Sequence, residues 1–196
     1  MRQFNINRIS WWNGIIAGAF AFVLGYLLTR HMVLMGPLPD SGVEASETTI
    51  TGWFHYNAHT VPIAEEVTAF GETATASGYN LIKLEDTSRY LEFLYVIPPL
   101  ALFVSGILAA ASARSTQRIS SSVINGASVF FGYLIAVGAG VVIFSASMTD
   151  WGISGTMRPD IWMALIVSGI IYPLFFGGLG GLAYFFTQGK IRIQTH

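Results

Sequence analysis

The sequence predicts an all-α membrane protein: a four-transmembrane-helix bundle with an extracellular loop cap between its first two helices. Three observations predict it. Four apolar stretches are each long enough to cross a bilayer, which takes about 20 residues of helix. Of the 196 residues, 53% are hydrophobic and only 11% charged, where a soluble domain carries about 25% charged residues. Mean hydropathy is +0.55, and basic and acidic residues fall in different segments.

The first span is "WWNGIIAGAFAFVLGYLLT", residues 11–29, with an extension toward 35. A cleaved signal peptide would place small residues after the apolar run, but Ala17, Gly18 and Ala19 fall inside it. An uncleaved anchor is therefore expected. The loop 36–89 opens on "GPLPDSG", whose prolines and glycines stop a helix. About fifty residues is too long for a structureless connector, so this loop is expected to form the cap. The second span covers 90–113, the third 121–148 and the fourth 161–189. Trp11 and Trp12 at one edge, and Tyr90, Tyr95, Trp151 and Trp162 at the other, suit interfacial belts.

Orientation follows from the positive-inside rule. Arg2, Arg8, Arg114, Arg118, Lys190 and Arg192 share their segments with no acid. Asp40, Glu44, Glu47, Glu65, Glu66, Glu72, Glu85, Asp86, Asp150 and Asp160 lie on the other side. Both termini are expected in the cytoplasm, with the 36–89 loop outside the cell.

Two short segments recur. "FVLGYLL" (22–28) resembles "VFFGYLI" (129–135), and Pro99-Leu100 with Gly106 is echoed by Pro173-Leu174 with Gly180. Two parallel helical hairpin repeats, related by an axis along the membrane normal, would produce this. Small residues also recur at helical spacing: Gly14 with Gly18, Ala17 with Ala21 and Gly25, Ala136 with Gly140, and Gly177 with Gly181. They make shallow grooves that serve either packing within the bundle or a homo-oligomer surface. Pro98, Pro99 and Pro173 each remove a backbone donor inside a span and are expected to kink it.

Charge bounds function. A net charge of −1 gives no basic surface for nucleic acid. The absence of cysteine removes disulfides, thiolate metal sites and cysteine nucleophiles. No Asp, Glu, Lys, Arg or His lies near the middle of any span, which speaks against an ion-coupled carrier. Arg89 and Glu92 can pair at the mouth of the second span. No nucleophilic triad or phosphate loop is present, so the chain reads as no enzyme and as needing no cofactor.

One stretch stands apart, "TGWFHYNAHTVPI" (51–63). His55 and His59 would share a helix face, as metal-binding pairs do, with His31, Glu65 or Glu66 as a third ligand. The zinc-protease glutamate is missing between them. The competing reading is a short amphipathic helix at the outer surface, with Trp53, Phe54 and Tyr56 dipping toward lipid or bundle and Asn57 and His59 bonding the loop.

"GWFHYNAH" (52–59), "LYVIPPLALFVSG" (94–106) and "IYPLFFGGLGG" (171–181) resemble an uncharacterised four-helix membrane protein family of halophilic archaea. His59 matches the family's aromatic stretch, whereas His55 stands where an apolar residue is usual. The resemblance implies a haloarchaeal cell-membrane protein with no established activity. Eight arginines against two lysines and an acidic loop fit that setting.

The leading functional expectation is a non-catalytic structural or accessory membrane protein whose cap and glycine-lined helices bind lipid, other membrane proteins or itself. The alternatives are a small transporter lined by Tyr26, Ser105, Tyr133 and Tyr172, and a metal- or haem-binding redox protein using His55 and His59.

Overall fold

The computed structural model describes residues 11–36, 45–84, 88–113, 118–150 and 153–193. Of the residues used above for orientation and belts, Arg2, Arg8, Asp40, Glu44, Glu85, Asp86, Arg114 and Trp151 lie outside these, as do most of "GPLPDSG" and the side chains of Asp150, Lys190 and Arg192.

Four helical stretches are long and apolar enough to cross a membrane: Trp11–Val33, Arg89–Ser112, Ile119–Ile143 and Ile161–Gln188. The first is one helix, α1 (Trp11–Val33). The second begins as a 3-10 helix over Arg89–Val96 and becomes α3 at Ile97–Ser112. Pro98 and Pro99 therefore sit in the first turn of α3, where an amide has no helical acceptor to lose. They start a helix rather than kink one, contrary to the expectation. The third span is α4 (Ile119–Ala127), a turn at Ser128–Val129, then α5 (Phe130–Ile143). The fourth is capped by Asp160, whose Oδ1 accepts from the Met163 amide at 2.9 Å. It widens into π-helical turns over Ala164–Ile171 and Pro173–Gly177, which absorb the missing Pro173 donor, and resumes as α-helix at Gly178.

The all-α expectation is wrong in one respect. The connections between spans one and two and between spans three and four build a four-stranded antiparallel sheet: β1 (Ile63–Ala69), β2 (Glu72–Tyr79), β3 (Ala146–Asp150) and β4 (Ile153–Pro159), in the order β2-β1-β4-β3. The β1–β2 turn is the two-residue type that follows strand twist, with Phe70 at φ 52° and Gly71 at φ 87°. The third span consequently ends at Ile143, not 148: Ala146 to Met148 carry no charge in sequence but pair with β4.

Between α1 and β1 runs a further helix, α2 (Glu47–Ala58). Ser46 caps it by accepting from the Thr49 amide at 3.1 Å, and Glu47 favours the same helix end.

The first span packs on the second and third, and the fourth packs on the same two. Each half of the chain is helix, hairpin, helix, and the second half lies beside the first. A two-fold axis along the bundle would make spans one and three, and spans two and four, its diagonals, which could not both be nearest neighbours. Side-by-side displacement, with α2 added only to the first half, fits the strand order as well.

Close backbone approach holds the spans. A Cβ on Gly18 would strike the Val129 carbonyl, and one on Gly132 the Ile15 carbonyl, locking α1 to α5. Gly177 meets Gly106 and Gly126, while Gly181 meets Ser122 and Gly126, and Gly14 faces Ser128.

Candidate functional site

Every residue of α2 from Thr49 to Ala58 is buried, and so is His59. A helix buried on all sides belongs inside a core, not at an interface. The expectation of an amphipathic surface helix is thus corrected: of the two directions expected for Trp53, Phe54 and Tyr56, they point into the bundle and not toward lipid.

The insertion is possible because each polar group on it finds a partner in the bundle. The Trp53 indole N–H donates to the Phe144 carbonyl at 2.7 Å, and the Tyr56 hydroxyl donates to the Val137 carbonyl. Asn57 binds three backbone groups: Nδ2 donates to the carbonyls of Val61 (2.9 Å) and Tyr79 (3.3 Å), and Oδ1 accepts from the Leu81 amide (2.8 Å). That one side chain ties α2 to the end of β2. Gly25 makes room for the His55 ring, since a Cβ there would stand 3.0 Å from Cε1. At the entry, Arg30 of α1 pairs with Glu47. The other ion pair among the described residues is Arg158–Glu66; Arg89 and Glu92 form none.

The two histidines have assignable tautomers. His59 Nδ1 lies 2.8 Å from the His55 carbonyl oxygen, which can only accept, so Nδ1 carries the hydrogen. Nε2 then accepts from the Tyr133 hydroxyl, which it faces within hydrogen-bond reach. Thr29 Oγ1 donates to the Gly25 carbonyl at 2.9 Å, leaving it to accept from His55 Nδ1 at 3.3 Å. His55 Nε2 is left as a buried lone pair with no partner, and Thr51 Oγ1, one turn earlier on α2, is also buried and unpartnered. Charging either imidazole in these surroundings would be costly, so both are neutral.

This geometry does not make a metal centre. The imidazole rings meet edge to face, with centroids 4.9 Å apart and planes at 79°, and both nitrogens of His59 are engaged. His31 is exposed on α1, and Glu65 and Glu66 lie on β1 with Glu66 paired to Arg158. Among the described residues no group of three or more metal-ligating side chains could hold an ion.

Of the expected transport lining, Tyr133 and Tyr172 both pack on His59 and Tyr26 lies edge-on to His55. Tyr26 stacks on Phe144, with ring centroids 5.2 Å apart, and Tyr133 is fully buried against His59. Tyr172 lies against His59 and Phe176, and Ser105 is buried on α3 beside the Gly106–Gly177 contact.

Depth is the feature that sequence reasoning missed. Tyr133 lies ten residues inside the third span from Ile143, about 15 Å along a helix, or half the roughly 30 Å hydrocarbon thickness of a bilayer. The spans contain no Asp, Glu, Lys, Arg or His at mid-length, yet α2 brings two imidazoles to that level from the loop. Tyr133, the acceptor carbonyls and Thr29 carried no signal beyond being polar groups in apolar runs.

A family model matches residues 5–188, which takes in all four spans, α2 and the sheet. The chain belongs to the DUF7978 family. That family is described as one of unknown function. No curated protein and no solved structure matches the chain.

Proposed function

We propose that this DUF7978 member is a non-catalytic accessory protein of the cell membrane, whose rigid bundle carries a sheet that binds another protein. The sheet and the 36–89 loop would lie outside the cell and both termini in the cytoplasm, by the charge asymmetry of the sequence. The haloarchaeal membrane implied by the motif resemblance is the proposed setting.

The observation that carries this reading is the contrast between interior and sheet. Most polar side chains of the inserted segment are spent on packing within the fold: those of Trp53, Tyr56, Asn57 and His59 are hydrogen-bonded, with His55 Nε2 and Thr51 Oγ1 the exceptions. The strands beyond are open, with every residue of β2 exposed. Purification from native membranes in mild detergent, with mass spectrometry, is the test. A stoichiometric partner is expected. A lone protein that moves solute across liposomes would overturn the reading.

A second reading has one observation in its favour. The His55 Nε2 lone pair, buried beside the spans and unpartnered, is what a proton-handling site needs. It predicts proton flux in liposomes that His55→Leu abolishes; no flux in the native protein rejects it.

A further inference from the structure

The register of the sheet sorts its side chains onto two chemically different faces. Successive strand residues point to opposite sides. One face carries Glu66, Thr68, Thr73, Thr75, Ser77, Ser147, Thr149, Ser154, Thr156 and Arg158, nearly all hydroxyls, with Thr68 and Thr73 bonded at 3.0 Å and Arg158 paired to Glu66. The other carries Val67, Ala69, Ala74, Ala76, Met148 and Ile153 around Glu65, with Glu72 at its rim.

This second face starts as part of the protein core and then runs out into the open. Ile63 and Met157, at its bundle end, are buried. Beyond them Met148 is 52% exposed and Ile153 42% exposed, Ala74 and Ala76 are exposed, and Phe70 projects from the turn at 91% exposure. Nothing in the described chain covers it. No basic residue lies on it, and Glu65 has no ion-pair partner among the described residues.

Resting on the accessory reading above, we propose that this apolar, acid-bearing sheet face is the docking surface for a segment of a different protein, one that is apolar and carries a Lys or Arg over Glu65. Charge complementarity selects that occupant. A second copy of this chain, laid face to face, would bring Glu65 and Glu72 against their like, and a lipid surface offers no cation fixed over Glu65. Size agrees. Four strands about 4.8 Å apart and some five open residues at about 3.3 Å give roughly 300 Å², well under the roughly 800 Å² per partner of two globular proteins. That area suits one strand or one helix.

The test places a photoreactive residue in the full-length protein in native membranes, as Ala74→benzoylphenylalanine on the apolar face and Thr75→benzoylphenylalanine on the hydroxyl face. The expected result is an Ala74 adduct, absent at Thr75, to a foreign peptide that is apolar and contains Lys or Arg. Glu65→Lys should lower its yield about tenfold through like-charge repulsion, and changing the partner's basic residue to Glu should restore it. Glu65→Gln guards against misfolding: it should weaken the adduct less than Glu65→Lys while leaving the protein's melting temperature in place. An adduct to lipid, to a second copy, or indifferent to Glu65→Lys overturns the proposal. If Thr75 alone captures a protein, this face is wrong and the accessory reading stands. If neither position captures one, this face is wrong, and if purification also finds no partner, the accessory reading fails with it.

Discussion

The hydroxyl of Tyr133, on α5, donates to Nε2 of His59, which enters from the loop side at the end of α2. The residues are 74 positions apart in sequence, and both are fully buried. This bond joins the deepest point of the inserted segment to the third span, and it requires the neutral His59 with its hydrogen on Nδ1.

Tyr133→Phe should destabilise the protein by about 1–3 kcal/mol, because it leaves His59 Nε2 buried and unpaired. Thermal unfolding in detergent measures it. If the His59–Tyr133 bond is structural, Tyr133→Phe and His59→Leu together should cost less than their sum, since residues in contact couple. Strict additivity would count against the bond.

Asn57→Leu should loosen the sheet end more than the spans. It removes all three backbone ties to Val61, Tyr79 and Leu81. Hydrogen exchange should speed up across residues 61–82 while α1 and α5 keep their protection; uniform loss would mean that Asn57 supports the whole bundle instead.

Two glycines on the third span should respond oppositely to alanine. At Gly132 a methyl group meets the Ile15 backbone, so Gly132→Ala forces α1 and α5 apart and should lower folded yield. At Gly138 the nearest atom is Leu165 Cδ2 at 3.9 Å. Gly138→Ala should therefore be neutral or stabilising by up to about 1 kcal/mol, the helix-propensity difference. Equal losses at both sites would refute the close α1–α5 contact.

Metal analysis of the purified protein should find no stoichiometric transition metal bound through the histidine pair, because His59 has no free nitrogen and His55 only one. Bound metal that disappears in His59→Ala would reverse the assignment of these tautomers.

Several features were legible in the residues alone. Continuous apolar runs of helical length specify spans whatever their neighbours, since a membrane helix satisfies its own backbone. Three of the four apolar helical stretches accordingly start and end within a few residues of those expected. The glycine spacings pointed to close helix contacts, and "TGWFHYNAH" to an unusual cluster.

What tertiary structure alone decided are features that depend on partners distant in sequence. The sheet was hidden because β2 alternates Ala with Thr and Ser while β1 sets two adjacent glutamates among Ala, Val and Thr, patterns of low contrast that become a sheet only when β4 supplies the other edge of β1. The prolines of the second span could be told from kinks only once the 3-10 turn before them was placed. The histidines took their role from Thr29 Oγ1, the Tyr133 hydroxyl and the gap at Gly25, and Trp53 and Tyr56 took theirs from the carbonyls of Phe144 and Val137. Local sequence determines which backbone groups a segment can satisfy by itself. For α2, whose side chains need acceptors from another helix, burial depth was a property of the assembled bundle.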